Sequence, residues 1–360
     1  MSTSVIRSEL LGWFDRHQRD LPWRRTRDPY AIWLSEVMLQ QTQVATVIPY
    51  FHRFLARFPT AASMAAAPLE DVLTLWKGLG YYSRARHLHR AAQEIVERFG
   101  GVLPDSVLAL ESLPTFGPYT TGAVASIAFG LEVPLVDGNV ARVLTRIFAV
   151  EGTPGDRVRE AALWTWAGVL VKGERPGDFN QSLMELGALI CRPVDPLCLV
   201  CPVRPRCQAL EQGRTAELPP PKVRAARQAL ALALGVWERK GTLLFARRAE
   251  SGLFGGLWEL PSVAAVDAPA DLALAFSDLL GVDIRLGPAL GQVKRTLTHR
   301  DLSLALWKLE ARGEPKLHAP YVDLRWADAD AARALGMSTA MQRALDAACV
   351  SLRADGASTF

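Results

Sequence analysis

The chain has 360 residues, of which 49% are hydrophobic and 22% are charged, and its formal net charge is +4. This length accommodates two or more domains with a substantial core, so a peptide or a disulfide-stabilised mini-protein is excluded. The composition is that of a globular protein and not of a disordered or collagen-like one. The small positive charge permits a polyanionic partner without requiring one.

The beginning of the chain and its longest uncharged stretch both argue against a membrane. The first twenty residues are charged throughout and have no apolar core, so we expect no signal peptide and a cytoplasmic protein. The uncharged stretch Ser112–Leu131 is broken by Pro114, Gly117, Pro118 and Gly122, so it does not predict a membrane span. We therefore expect no membrane partner.

A single acidic residue, Glu36, interrupts the apolar helical run AIWLSEVML. On a solvated helix face this carboxylate would be inert, whereas burial would raise its pKa and make it a usable general acid near neutral pH. Charged side chains are seldom buried, so the residue type by itself favours the solvated face.

Residues Leu110–Phe129 predict a helix, a tight Pro/Gly hairpin at Pro114–Gly117 and a second helix, which is the pattern of a helix–hairpin–helix motif. The amides of such a hairpin and the positive end of its second helix can hold a backbone phosphate without reading the base sequence. A Pro/Gly turn between two helices is equally often only a turn, so the motif alone leaves both interpretations open.

Asp137 directly precedes a run with apolar residues at helical spacing, namely Val140, Val143, Leu144 and Ile147. This position predicts a helix N-cap, which is worth about 1 kcal/mol of helix stability. The helix dipole also favours the ionised carboxylate, the form that stabilises a developing cation. Structural and catalytic roles are compatible here.

Four of the five cysteines lie close together, with the spacing C-x6-C-x2-C-x5-C: Cys191, Cys198, Cys201 and Cys207. In a reducing compartment such a group indicates a metal site and not disulfides, and four thiolates suit either zinc or iron–sulfur. The spacing lacks the paired C-x2-C knuckles of structural zinc sites and resembles the [4Fe–4S] loop of the endonuclease III superfamily of DNA glycosylases. We expect a [4Fe–4S] cluster with a structural role.

The pattern is helical from Val5 to about Leu210 and shows no strand. The segment Arg214–Arg227 contains three consecutive prolines and reads as an extended linker, after which short runs such as Ala229–Val236 and Thr242–Ala246 predict strands. The expected fold is multi-domain: an all-α domain over residues 1–211, a linker over 212–227 and an α+β domain over 228–360.

Several long, collinear segments resemble adenine DNA glycosylases of the MutY kind: WLSEVMLQQTQVATVIPYF, LWKGLGYYSRARHL, LPTFGPYTTGAVASIAFG, VDGNVARVL, FNQSLMELGALIC and the cysteine loop. The match covers nearly all of residues 7–210, although Thr115 stands where the family has the first hairpin glycine. The resemblance implies a helix–hairpin–helix fold of two helical modules, with the active site in the cleft between them.

The resemblance also implies roles for individual residues. Glu36 matches the glutamate that protonates adenine at N7, and Asp137 matches the aspartate that stabilises the sugar cation or captures it. Tyr119 occupies the position where strand-cutting relatives carry a lysine, and because a Schiff base requires an amine, we expect a monofunctional enzyme that leaves an abasic site. The matched DNA and base contacts are Gln41 and Tyr81 as wedges, and Trp23, Arg24 and Gln181 as pocket residues.

The segment GLFGGLWELP at Gly252–Pro261 resembles the start of the Nudix-like domain that ends such proteins. The following stretch Ser262–Gly281 lacks the R-E-x-x-E-E carboxylates that bind Mg²⁺ in Nudix hydrolases, so we expect no pyrophosphatase activity. In the family this domain contacts 8-oxoguanine through a loop matched here by Thr298 and His299, where Leu297 replaces the usual phenylalanine.

The expected partner is double-stranded DNA with 8-oxoguanine:adenine or guanine:adenine mispairs, bound by a monomeric, nucleoid-associated protein. Two other functions stay open. One is a bifunctional glycosylase/lyase for pyrimidine lesions, against which Tyr119 argues. The other is a non-enzymatic iron–sulfur DNA-binding redox protein, which would leave Glu36 and Asp137 without a role.

Overall fold

The computed structural model describes residues 3–221 and 226–354. The chain divides into two compact units, which consist of the described parts of Met1–Ala67 with His87–Val223 (unit 1) and of Pro68–Arg86 with Arg224–Phe360 (unit 2). Of the predicted linker, residues 222–225 lie outside the described residues. Within the described ranges, no helix is long and apolar enough to cross a bilayer.

Unit 1 is helical, as the sequence predicts, and no strand occurs among its described residues. Its helices are α1 (Thr3–His17), α2 (Pro29–Leu39), α3 (Val44–Arg57), α4 (Ala61–Ala65), α7 (Val107–Glu111), α8 (Pro118–Ile127), α9 (Gly138–Ile147), α10 (Arg157–Leu170), α11 (Pro176–Leu189) and α12 (Gln208–Glu211). Short 3₁₀ turns lie at Pro22–Arg24, Cys198–Val200 and Arg204–Arg206. Helix α5 (Leu69–Trp76) belongs to unit 2, and α6 (Ser83–Phe99) begins in unit 2 and continues into unit 1.

Two glycines allow close helix packing at the centre of unit 1. A Cβ on Gly122 of α8 would lie 2.0 Å from the carbonyl oxygen of Pro134, and one on Gly187 of α11 would lie 2.6 Å from Cβ of Asn139. Because Gly187 has no side chain, α11 can approach the start of α9 closely. This packing brings α8, α9 and α11 around one cavity.

Unit 2 contains the strands, and its mixed sheet confirms the expected α+β class. The strands are β1 (Gln228–Arg239), β2 (Thr242–Arg248), β3 (Trp258–Glu259), β4 (Ser262–Ala264), β5 (Ile284–Thr296), β6 (Arg300–Ala311) and β7 (Tyr321–Ala327). They lie in the order β3-β2-β1-β6-β5, with β4 paired to β1 and β7 to β2, and only β1 and β6 pair in parallel. Helices α13 (Pro269–Leu280), α14 (Ala329–Ala334) and α15 (Thr339–Ala354) complete the unit.

The segment Pro68–Arg86 groups with these strands and not with the helices that flank it in the sequence. Trp258 donates its indole N–H to Oε1 of Glu70 at 3.2 Å, and the hydroxyl of Tyr82 donates to the carbonyl oxygen of Met337 at 2.9 Å. These bonds join residues more than 180 positions apart, so no local pattern in the sequence could reveal them.

Candidate active site

Glu36 lies on helix α2 and is buried, with only 5% of its surface exposed. The solvated interpretation is therefore wrong. Every residue from Tyr30 to Met38 is buried, so α2 has no solvated face on which a carboxylate could lie. Because α2 is buried on all sides, an ionised Glu36 must find its hydrogen-bond partners inside the protein.

The hydroxyl of Tyr119, on the first turn of α8, donates a hydrogen bond to Oε2 of Glu36 at 2.6 Å. Burial raises the pKa of Glu36 to about 7; the hydrogen bond from Tyr119 opposes this rise, and the nearby charge of Asp137 adds to it. At neutral pH the carboxyl group therefore populates both its protonated and its ionised form, which is the property that a general acid and base requires.

Asp137 is the N-cap of α9, as the sequence predicts. Its Oδ1 accepts from the backbone N–H of Val140 at 2.7 Å, and its Oδ2 accepts from the side-chain amide of Asn139 at 3.0 Å. Burial nevertheless raises the pKa of Asp137 above its ordinary value, against these hydrogen bonds and the charge of Arg142. The expectation that the helix start alone keeps this group ionised did not allow for that burial.

Both carboxyl groups line a cavity of about 700 Å³ that lies wholly within unit 1. The same cavity is lined by the expected pocket residues Trp23, Arg24 and Gln181, by the expected wedge Gln41 and by Tyr119. Gln41 is exposed and has a positive φ of 57°, whereas Trp23 and Gln181 are buried. The volume is sufficient for a purine base.

The hairpin before α8 carries Thr115 in the left-handed region, with a φ of 74°. This conformation is costly for a β-branched residue, which explains why glycine is usual there. In compensation, the Thr115 hydroxyl accepts a hydrogen bond from the indole N–H of Trp33 at 2.9 Å, and the Trp33 ring stacks on Phe116. The hairpin is thereby tied to α2 one turn before Glu36.

The four clustered cysteines line one small cavity next to α9 and α11. Arg146 of α9 donates to Sγ of Cys191 at 3.3 Å, and Sγ of Cys207 lies 3.3 Å from the carbonyl oxygen of Arg146. Across the part of the chain that the structure describes, no three His, Cys, Asp or Glu side chains form a group that could hold a metal ion. Cys349 is buried in unit 2, in the core beside α15.

The remaining expected site residues lie in unit 2, around a second cavity of about 490 Å³. Thr298 and His299 are exposed at the turn between β5 and β6, and the Thr298 hydroxyl makes a hydrogen bond with the hydroxyl of Tyr81. Leu297, which replaces the family's phenylalanine, packs against the core of this unit.

Comparisons with known proteins decide the family. Residues 34–168 match the HhH-GPD superfamily of base excision DNA repair proteins, and residues 232–347 match the NUDIX domain. The adenine DNA glycosylase of Homo sapiens is 37% identical over 94% of this chain and 73% of its own length. The chain belongs to the adenine DNA glycosylase family.

A second relative supports that assignment, and two solved structures resemble part of the chain in fold. The adenine DNA glycosylase of Arabidopsis thaliana is 40% identical over 72% of this chain and 48% of its own length. A thermostable thymine-DNA glycosylase superposes with a TM-score of 0.53 at 32% identity, over 58% of this chain and 97% of that one. A trapped endonuclease III–DNA covalent intermediate, at 22% identity and a TM-score of 0.50 over 59% of this chain and 99% of that one, shares the fold.

One acidic residue of the adenine DNA glycosylase pocket escaped the sequence analysis. Glu185 of α11 lines the 700 Å³ cavity, is fully buried and binds both Arg19 and Arg24. The sequence did hold a signal, because Glu185 is the one acidic residue in the run FNQSLMELGALIC and follows Gln181 by one helical turn.

Proposed function

We propose that this protein is a monofunctional base excision repair glycosylase that removes adenine paired with 8-oxoguanine or guanine in double-stranded DNA. One observation carries the proposal: Glu36, with a pKa raised to about 7, accepts a hydrogen bond from Tyr119 in a purine-sized cavity that Asp137 also lines. Membership in the adenine DNA glycosylase family supports the choice of adenine as the base.

Glu36 supplies the proton that adenine needs to leave. A neutral adenine is a poor leaving group, and protonation at N7 by the buried carboxylic acid lowers the barrier to breaking the N-glycosidic bond. Once ionised, the same carboxylate accepts a proton from the attacking water, as in glycoside hydrolysis by paired carboxyl groups. The Tyr119 hydroxyl keeps Glu36 oriented in both states.

Asp137 stabilises the sugar while it carries positive charge. Two hydrogen bonds, from Val140 N–H and the Asn139 amide, fix the carboxyl group in the lining of the cavity and support its ionised form. A carboxylate fixed in this way stabilises the cation without reorganising during the reaction. Since Tyr119 offers no amine, water completes the reaction and an abasic site remains.

The other matched residues bind the DNA and the extruded base. Gln41 and Tyr81 are wedges that fill the space left in the base stack, and the strained backbone of each, with φ of 57° and 48°, agrees with a special position. Trp23, Arg24 and Gln181 surround the base. Thr298 and His299 in unit 2 contact the 8-oxoguanine.

The proposal extends to a [4Fe–4S] cluster held by the four clustered cysteines. The donor set fits this group, because all four thiols line one cavity and the Arg146 guanidinium lies 3.3 Å from Cys191 Sγ, where it offsets thiolate charge. When bound, the cluster acts as a cross-link that fixes the loop. Arg204 and Arg206, on the same loop, are available to DNA phosphates.

Adenine release from a duplex with an 8-oxoguanine:adenine pair, measured under single-turnover conditions, tests the proposal. We expect release by the unaltered protein, while Glu36→Gln binds the duplex but excises adenine about 10²–10⁴-fold more slowly. Glu111→Gln, an exposed glutamate of α7, is the matched control and should excise normally. Near-normal excision by Glu36→Gln would contradict the proposed role of this residue.

Treatment with borohydride distinguishes the bifunctional alternative. A lyase forms a Schiff base with the sugar, and reduction traps it as a covalent protein–DNA adduct. We expect no adduct and no strand cleavage beyond that of the abasic site itself, because Tyr119 occupies the nucleophile position. A trapped adduct would assign the protein to the lyase class.

A further inference from the structure

Glu185 lies in the lining of the proposed adenine pocket, where it forms ion pairs with Arg19 and Arg24. Its side chain is 0% exposed, and its carboxylate accepts four hydrogen bonds from two arginines. Arg19 donates its backbone N–H at 2.9 Å, its Nε at 2.9 Å and its Nη2 at 2.8 Å, while Arg24 donates Nη2 at 2.9 Å. Burial favours the neutral acid, but these hydrogen bonds and the charge of Arg24 lower the pKa of Glu185 to about 2.

Each nitrogen of the Arg24 guanidinium group donates a hydrogen bond, and each bond goes to a different residue. Besides Nη2 to Glu185, its Nη1 donates to the carbonyl oxygen of Arg19 at 3.0 Å, and its Nε donates to Oε1 of Gln181 at 3.2 Å. The side chain is 10% exposed and lies over the ring of Phe14. With three directions fixed, the guanidinium cannot turn without losing a hydrogen bond to a buried charge.

The fixed guanidinium determines which way the amide of Gln181 points. A guanidinium has donors and no acceptor, so only the amide oxygen of Gln181 can face Arg24. The Nε2 group must then face the other side, where Gln181 lines the 700 Å³ cavity. Among the described residues, this amide nitrogen has no hydrogen-bond acceptor. The pocket therefore presents an N–H donor to whatever base enters it.

We propose that Glu185 is a positioning residue that sets base selectivity: through Arg24 it locks Gln181 as a donor, so the pocket requires a ring nitrogen acceptor on the base. The inference rests on the proposed adenine excision. Adenine has three ring acceptors outside the glycosidic bond, N1, N3 and N7, and N7 receives the proton of Glu36. The partner of the Gln181 amide is then N1 or N3.

Without the charge of Glu185, Arg24 loses its strongest partner and the amide of Gln181 is free to present either its oxygen or its nitrogen. A free amide adapts to a base that lacks the acceptor, whereas a locked one leaves its donor unpaired against it. The locked pocket should therefore penalise loss of the acceptor more than an adaptable pocket does.

The test compares single-turnover excision of adenine, 1-deazaadenine and 3-deazaadenine opposite 8-oxoguanine. Each analogue replaces one ring nitrogen by C–H, and we define the penalty as the excision rate of adenine divided by that of the analogue. Comparing this penalty between a variant and the unaltered protein cancels differences in the lability of the glycosidic bond. We expect one analogue to be excised at least about tenfold more slowly by the unaltered protein, and this penalty to fall severalfold or more in Glu185→Gln.

Three variants separate positioning from general damage to the fold. Asp178→Asn is the matched control, because Asp178 lies on the same helix and binds Arg27 and Arg175 but does not line the cavity. It should keep the penalty. In a Gln181→Ala background, Glu185→Gln should change the penalty no further. Should Glu185→Gln fail to fold, Arg24→Met removes the donor to Gln181, while Glu185 keeps its three hydrogen bonds from Arg19. This variant should lower the penalty likewise.

The possible outcomes distinguish failure of the positioning role of Glu185 from failure of the proposed function. The positioning role would be overturned, with adenine excision left intact, by an unchanged penalty in folded Glu185→Gln or Arg24→Met. A further change in the Gln181→Ala background, or the absence of any penalty in the unaltered protein, would overturn it as well. If the unaltered protein releases no adenine at all, the proposed function itself fails, and with it this inference.

Discussion

At the scale of single residues, the burial that makes Glu36 a usable acid also costs stability. The folded protein holds this proton with a pKa of about 7 against an ordinary value of 4.5. Below pH 4.5 the folded and the unfolded protein both hold the proton, so burial of Glu36 costs no stability through ionisation. As the pH rises from 4.5 through about 7, the unfolded protein loses its proton first, and the free energy of unfolding falls. A difference of about 2.5 in pKa corresponds to about 3 kcal/mol in the free energy of unfolding.

Replacing Glu36 by glutamine should therefore make stability less dependent on pH. We expect Glu36→Gln to be more stable than the unaltered protein at pH 8, by up to about 3 kcal/mol, with a much smaller difference at pH 5. Chemical denaturation at the two pH values measures this, with Glu111→Gln as the exposed control. An equal effect at both pH values would mean that Glu36 does not titrate between them.

Tyr119 adjusts the pKa of Glu36 by a single hydrogen bond. Because its hydroxyl donates to the carboxylate, it stabilises the ionised form and holds the pKa below the value that burial alone would give. Excision by the unaltered protein should fall as the pH rises above about 7, where the acid loses its proton.

Removing the hydroxyl should raise the pKa of Glu36 and move that fall to higher pH. We expect this shift for Tyr119→Phe in single-turnover rates measured from pH 5 to pH 9. Tyr30→Phe is the matched control, since Tyr30 is a buried tyrosine of the same unit whose hydroxyl donates to the carbonyl oxygen of Phe58. A shift toward lower pH would refute the donor role of Tyr119.

At the scale of elements, the sequence predicted what depends on local patterns. The cap at Asp137, the hairpin before α8 and the change from helices to strands all follow from residues that are close in the chain. The burial of Glu36 does not, because it depends on what packs around α2. The strain at Thr115 is a similar case, since its compensation comes from Trp33, which lies 82 positions away.

The cysteine loop supplies the next prediction at this scale. Purified protein should contain iron and sulfide and show broad visible absorption, and Cys198→Ser should lose both, because a thiolate ligand is replaced by a hydroxyl. Cys349→Ser is the control and should keep the cluster, since Cys349 lies in the core of unit 2. Stoichiometric zinc in place of iron would overturn the cluster assignment.

At the scale of the whole molecule, the two units are interleaved in the sequence. The segment Pro68–Arg86 lies among helices along the chain, yet it groups with strands that begin at Gln228. Removing everything after the linker would therefore take away the partners of Glu70 and Tyr82 and disturb the surroundings of Tyr81. Point substitutions test the role of unit 2 more cleanly than truncation does.

Both proposed catalytic carboxyl groups lie in unit 1, so unit 2 should contribute lesion specificity and leave the chemistry unchanged. Thr298 and His299 are exposed beside a 490 Å³ cavity and can offer hydrogen bonds to 8-oxoguanine or to a flanking phosphate. A few such bonds are worth about 1–3 kcal/mol of discrimination, which is roughly tenfold or more in rate or affinity.

The double variant Thr298→Ala with His299→Ala should therefore narrow the preference for 8-oxoguanine:adenine over guanine:adenine by about tenfold, while excision from guanine:adenine continues. Thr298→Ser keeps a hydroxyl for Tyr81 and should keep the preference. Thr242→Ala with His318→Ala changes the same residue types away from the cavity and should keep it too.

Single-turnover excision and binding are measured on both duplexes at one salt concentration, because non-specific affinity varies steeply with salt. If the double variant shows the same ratio of excision rates on the two duplexes as the unaltered protein, Thr298 and His299 do not recognise the lesion. If it loses excision from both duplexes while it is folded and contains iron, unit 2 takes part in catalysis.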